Sequence, residues 1–309
     1  MRPRRLLAAF AALTGLLVLA ALLPGAPAVA DRGSVSGSGG GSGLVAGDVD
    51  ETAPATLPAM RLVRAPSYAG VRRYDRLLRV GTGTWRPAPT SVRYQWRRDG
   101  TPIPGAHKRR YRSTPADVGR RISVAVTAAA PGHRPRTTVV RIGRIAHAVP
   151  VRRTVTYSVR TRGAVPGGLR QFKRQAQATL DDARGWRARG VRFQRVRSGG
   201  TFTLWLVEAR LVPSFSSVCS TQWSCRVGRN VIINLDRWRH ASPAWNAAGR
   251  SLREYRHMVV NHETGHWIGF GHASCPAPGA LAPVMMQQSK GRGGCRFNPW
   301  PTPAELRRR

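Results

Sequence analysis

The chain has 309 residues, 41% of them apolar, with 51 Lys and Arg against 14 Asp and Glu, a formal charge of +37. That length allows about two domains of ordinary size, and the apolar fraction supplies buried cores, which excludes a wholly disordered basic tail. The charge points towards nucleic acid or an anionic surface, while a single long apolar stretch, near the N-terminus, excludes a polytopic membrane protein.

In chain order, Arg2, Arg4 and Arg5 precede an apolar run from Leu6 to Leu23, then Pro24, Gly25 and the triplet Ala28, Val29, Ala30. This is the tripartite pattern of a secretory signal peptide, residues 1–30, with cleavage expected after Ala30. The alternative is an uncleaved membrane anchor, because 18 apolar residues are marginal for a span. Removing residues 1–30 takes away three arginines and no acids, leaving +34 on an exported chain. Residues 31–58 are rich in Gly, Ser and Ala and contain the run Ser36-Gly-Ser-Gly-Gly-Gly-Ser-Gly43, a flexible linker that cannot bury a core.

From 59 to 147, short alternating segments such as Ser91 to Trp96 and Arg121 to Val126 are separated by turn signals at Asp99-Gly100, Pro104-Gly105 and Pro131-Gly132. Turns this frequent predict a small all-β sandwich. The series Trp85, Pro87, Pro89, Tyr94-Gln-Trp96-Arg-Arg-Asp99-Gly100, Ile103, Gly105-Ala106, Tyr111, Asp117-Val-Gly119 and Ile122 resembles the immunoglobulin-like repeats beside catalytic domains of bacterial exported proteins. The resemblance implies a core Trp96 on a central strand and a corner marked by Tyr111, Asp117 and Gly119, and it assigns none of these residues to catalysis.

The remainder, 151–309, has an α+β order. Thr154 to Arg160, Val191 to Val196, Thr201 to Glu208 and Asn230 to Leu235 read as strands, Gly168 to Ala183 as a helix, and Ser251 to Gly269 as a longer helix. All four cysteines, Cys219, Cys225, Cys275 and Cys295, fall here, an even number suited to two disulfides in an oxidising compartment. Their spacing lacks the close CxxC pairs of a zinc ribbon. Of the three possible connectivities the local one, Cys219 with Cys225 and Cys275 with Cys295, is preferred, although sequence alone leaves all three open.

The long helix contains His262-Glu-Thr-Gly-His266-Trp-Ile-Gly269-Phe-Gly-His272, which fits HExxHxxGxxH at every fixed position. Residues four apart on a helix share a face, so His262 and His266 can present imidazole nitrogens to one tetrahedral zinc. Glu263 is expected to face the open coordination position and take a proton from water there. Gly269 lets the chain turn at a positive φ, bringing His272 back as third ligand. Given 8 His, 5 Glu and 33 Gly in the chain, a chance match is on the order of 10^-5. The competing readings are surface histidines on an ordinary helix, and a closed structural zinc with Cys275 as fourth ligand.

The motif resembles that of the metzincin zinc metalloproteases, whose likeness covers residue 151 to the end. It implies one catalytic Zn2+ and, beneath it, a methionine-containing turn, here Val284-Met285-Met286-Gln287-Gln288. Met285 takes that role, with Met286 as the alternative, as an apolar floor for the imidazoles. More narrowly, VVNHETGHWIGFGH with the later CP, APVMMQQSKG, Gly294-Cys295 and Asn298-Pro-Trp-Pro301 is similar to an uncharacterised family of exported actinobacterial domains held to be metzincin-like. The expected fold is therefore a mixed twisted sheet with an active-site helix. Several metzincins carry a tyrosine just after the turn methionine that assists the oxyanion; Gln287 and Gln288 stand here instead. No cysteine precedes Cys219, so latency through a propeptide cysteine is excluded.

These readings converge on a secreted, monomeric zinc endopeptidase acting on protein or peptide substrates laid along an edge strand within about Ser214 to Gly228. The rival is a binding protein of the cell envelope that keeps the zinc fold as scaffold. Specific nucleic-acid binding is disfavoured, because basic residues spread over both halves, +17 in 57–150 and +20 in 151–309, and form no recognition motif. Only three of them are lysines (Lys108, Lys173, Lys290), a bias that coding-DNA composition explains as readily as binding does. Retention at an anionic envelope surface, or a preference for acidic substrates, fits the charge better.

Overall fold

A computed structural model of the chain describes residues 56–308; the predicted signal peptide and nearly all of the predicted linker lie outside the described residues. The arginine-rich part that follows folds into short strands: β1 (Arg61–Arg64), β2 (Tyr68–Ala69), β3 (Leu77–Val80), β4 (Thr84–Arg86), β5 (Ser91–Arg98), β6 (Thr101–Pro102), β7 (Arg110–Arg112), β8 (Arg121–Ala129) and β9 (Arg136–Arg144). They form a four-stranded sheet in the order β6-β5-β8-β9, a three-stranded sheet β2-β3-β7, and the pair β1-β4. The two-residue turn joining β5 to β6 uses Asp99 and Gly100 at φ 46° and 86°, the paired positive values of a tight hairpin.

Alternation then decides which side chains are buried. Ile122, Val124 and Val126 of β8 point to one face and meet Trp96 of β5 with Leu78, Val80 and Tyr111, so the two larger sheets share one core. Trp96 is fully buried on a strand interior to its sheet. It stacks on Tyr111 at 5.2 Å between ring centroids and donates its indole N–H to Lys108 O at 2.9 Å. The Tyr111 hydroxyl donates to Asp117 at 2.7 Å. Asp117 is itself buried and also receives Arg98 Nε at 2.7 Å and Thr114 N at 2.6 Å. With the Thr114 hydroxyl at 3.0 Å its lone pairs are used by four donors, which makes a buried carboxylate tolerable.

The remainder is mixed α and β: β10 (Arg153–Arg162), α1 (Leu169–Asp181), β11 (Val191–Arg195), β12 (Phe202–Val207), β13 (Cys225–Val227), β14 (Asn230–Asn234), α2 (Leu235–His240), α3 (Pro243–Ala247), α4 (Leu252–Ile268) and α5 (Pro303–Arg307). Sheet order is β11-β10-β12-β14-β13. Every pair is parallel except the last, where β13 runs antiparallel along β14 and forms the sheet edge. Helix α1 buries Phe172, Ala176 and Leu180, which recur at helical spacing. They share a core with Val155, Leu204, Val231 and Ile233 of the sheet and with Tyr255, Met258 and Val259 of α4. Val207, Val212, Cys219 and Ile232 form a separate cluster.

The four strands and the two longer helices predicted in 151–309 appear within one or two residues of their expected ends, and β8 runs three residues past its expected end at Val126, whereas α2, α3 and α5 were not expected. Each is too short to display a period, yet each starts at a capping side chain: Asn234, Ser242 and Thr302 accept hydrogen bonds from the first turn. The disulfides are Cys219–Cys225 and Cys275–Cys295, as a protein folded in an oxidising compartment would have. Cys275 is thereby removed as a fourth metal ligand. Among the described residues no helix is long and apolar enough to cross a membrane.

Candidate metal centre

Helix α4 begins at Ser251, whose hydroxyl accepts from Glu254 N, and ends at Gly269 in the left-handed region at φ 110°. Between these caps His262 and His266 stand one turn apart. The turn at Gly269 reverses the chain so that His272 comes back over the same end. His266 Nε2 lies 3.1 Å from His262 Nε2 and 3.2 Å from His272 Nε2. No other group of three histidine, cysteine or carboxylate side chains converges in this way among the described residues.

The chemistry of this donor set fits a cation. His262 Nδ1 is 2.8 Å from Val284 O and His266 Nδ1 is 2.8 Å from Phe270 O. A carbonyl oxygen only accepts, so each Nδ1 carries the proton and each Nε2 turns its lone pair towards the other rings. Burial lowers the basicity of all three imidazoles, driving His262 down to about 3. The two helix imidazoles thus turn Nε2 lone pairs towards the third ring, and with His272 Nε2 beside them the cluster could hold a metal ion.

Beside the histidines, Glu263 is 5% exposed. Burial pushes its carboxyl up to about 8, with the Arg226 guanidinium pulling the other way. Among the described residues it is the one carboxylate lining a cleft of about 340 Å³ that runs between the histidines, the edge strand β13 and the segment Gln287–Lys290. The Cys219–Cys225 bridge closes the loop at the cleft rim. Only Cys225–Val227 of the expected edge segment is strand; Ala209–Phe215 is a 3-10 helix instead.

Beneath the centre lies Met285, 1% exposed, against Gly265 of the motif. A Cβ at Gly265 would overlap Met285 Sδ and stand 2.8 Å from Trp186 Cζ2. Gly265 is therefore required for close approach, although its helical backbone would accept any residue. Met286, half-buried, turns towards Gly293, so of the two methionines it is Met285 that packs against the motif helix. Trp186 completes the floor and donates its indole N–H to Asn261 O of α4 at 2.8 Å. Gly265→Ala is expected to cost about 1–3 kcal/mol through overpacking and to weaken metal binding, as thermal melting and zinc titration of the variant would report.

A second support escaped sequence reasoning. Glu305 of α5 accepts from Val284 N at 3.1 Å and Met285 N at 2.9 Å, and from Thr302 N at 2.7 Å. One carboxylate thus caps α5 and fixes the two residues that orient His262 and floor the site. Thr302 and Glu305 form a capping box at the start of α5, and nothing in that local pattern signals the bond to the methionine turn. Gln288 is fully buried and saturated: its amide donates to Pro283 O and Asn298 O, and its oxygen accepts from Asn298 N. Gln287 is exposed at the cleft. A further histidine of α4, His257, takes no part; it bonds Thr179 and Arg253, and burial lowers it to about 4.

Residues 141–293 match the model of a family described as a protein of unknown function, DUF3152. No curated protein matches the chain. The matched region contains β10 to α4, the three histidines, Glu263, Met285 and the cleft-lining segments, but ends before Glu305.

Proposed function

We propose that the protein is a secreted zinc-dependent endopeptidase of the metzincin kind, preceded by an immunoglobulin-like β-sandwich. The observation that carries this reading is the meeting of three imidazole Nε2 atoms with one buried carboxylate, Glu263, which has no hydrogen bond among the described residues, in a cleft beside a sheet edge. His262, His266 and His272 would hold the zinc, leaving a position open for catalysis, since the nearest cysteine is locked in a disulfide. Zinc, when bound, supplies Lewis acidity that polarises the scissile carbonyl and makes water a stronger acid. The free edge of β13 pairs with an extended peptide as an added strand, setting the scissile bond across the cleft. Glu263 takes a proton from the attacking water on a carboxylate oxygen and hands it to the leaving amine. Val284 O and Phe270 O hold the two helix imidazoles in the tautomer that leaves Nε2 free.

The second reading, a zinc-scaffold binding protein of the envelope, is favoured by one observation: Gln288 is spent on Pro283 and Asn298, so this side chain does not take the place of the oxyanion tyrosine. Export, with the two disulfides and a positive surface, fits retention at an anionic envelope under either reading. Metal removal separates them. Treating the purified protein with a chelator should abolish digestion of a mixed peptide library, and one equivalent of zinc should restore it; digestion that survives chelation contradicts the zinc mechanism.

A further inference from the structure

The three-residue edge strand aims one cation at the cleft. Its register sets Cys225 opposite Ile232 and Arg226 opposite Val231. Directly paired residues project from the same face of a sheet. Ile232 belongs to the small cluster with Val207 and Val212, whereas Val231 belongs to the core beneath α4. Arg226 therefore projects on the α4 side, and at the free edge of the sheet that side is the cleft. A second cation, Lys290, lines the cleft from the segment after the methionine turn. Both are exposed, and neither is among the ion pairs of the described residues, where arginines such as Arg98 and Arg250 do find carboxylates. Among the described residues the only carboxylate in the cleft wall is Glu263, which is buried beside the histidines. Two uncompensated positive charges in a concave, partly water-excluded site focus a positive potential on whatever enters, and a guanidinium is matched in shape to a carboxylate.

We propose that Arg226 and Lys290 form a carboxylate-selecting subsite, so that the cleft takes peptides bearing Asp or Glu beside the scissile bond. The inference rests on the endopeptidase reading for its substrate class, but the subsite itself is tested by binding. Two decapeptides of one sequence, differing only in a central Glu or Gln, are titrated by calorimetry into the zinc-loaded Glu263→Gln protein, which should bind them without cutting. The Glu peptide should bind about tenfold more tightly, as one charge-assisted contact provides. Arg226→Gln and Lys290→Gln should each shrink that ratio, and the double variant should bring it to about one. A control carrying Arg93→Gln and Arg136→Gln on the four-stranded sheet removes the same charge outside the cleft and should leave the ratio unchanged. Equal affinity for the two peptides, no measurable binding of either, or a control that loses the preference equally would overturn the subsite. Digestion of a mixed library by the wild type separates the two levels: cleavage with no enrichment of acidic residues near the cut overturns the subsite and leaves the endopeptidase standing. An uncut library overturns the endopeptidase, while the calorimetric ratio still decides the subsite.

Discussion

Glu263→Gln should lower kcat/KM for a cleaved peptide by about 10^3-fold, leave one zinc bound per chain, and leave the melting temperature equal or slightly raised. The size follows from the role, since glutamine keeps the shape of the side chain and loses the oxygen that accepts the proton. The unchanged stability follows from the surroundings. Glu263 has no hydrogen-bond partner among the described residues, and burial disfavours its ionised form. Replacing it with a neutral amide of the same shape removes no hydrogen bond and keeps a neutral group at a site where burial already disfavours charge. Activity assays on a single defined peptide, with metal analysis and thermal melting of the same sample, measure all three. A drop in activity that tracks loss of zinc would instead make Glu263 a support for the metal.

The second large effect is expected from a residue outside the cleft. Glu305→Ala would leave Val284 N, Met285 N and Thr302 N without their acceptor at a buried position. At about 1–3 kcal/mol for each buried donor left unmade, the loss is about 3–5 kcal/mol after partial relaxation. Loss of position should follow as well. Val284 O accepts from His262 Nδ1 and Met285 fills the space over Gly265, so zinc affinity should fall by about 10- to 100-fold, the usual cost of losing an outer support of a metal ligand. Glu305→Gln, which keeps an acceptor oxygen, should fall between alanine and wild type on both scales. Denaturant unfolding and competitive zinc titration are the checks. A change below about 1 kcal/mol in the alanine variant would show that water replaces the carboxylate and that the turn stands without it.

What could be read from the sequence was local. The helix bearing the motif is bounded by Ser251 and Gly269, a hydroxyl cap and a left-handed glycine, so its ends and the return of His272 followed from residue type and spacing. The core place of Trp96 and the corner at Tyr111 and Asp117 came instead from the resemblance to immunoglobulin-like repeats; Trp96 is buried against Tyr111, whose hydroxyl donates to the buried Asp117. The rest depends on contacts far apart in the chain. Trp186 reaches Asn261 across 75 residues and Glu305 reaches Met285 across 20, and no period or cap announces either. Gly265 looked like one of the variable positions of HExxH, and only the close approach of Met285 and Trp186 makes it specific. The strand at the cleft edge is three residues long, too short to show alternation, so the direction of Arg226 came from its pairing with Val231. The charge of +37 separates along similar lines: most of it coats both halves of the chain, while two cations stand inside the cleft.

The most direct test sets wild type and Glu263→Gln side by side, each loaded with one equivalent of zinc, on the same mixed peptide library, and reads new peptide termini by mass spectrometry. The account predicts new termini from the wild type alone. The same termini from both proteins, or none from either, would contradict it.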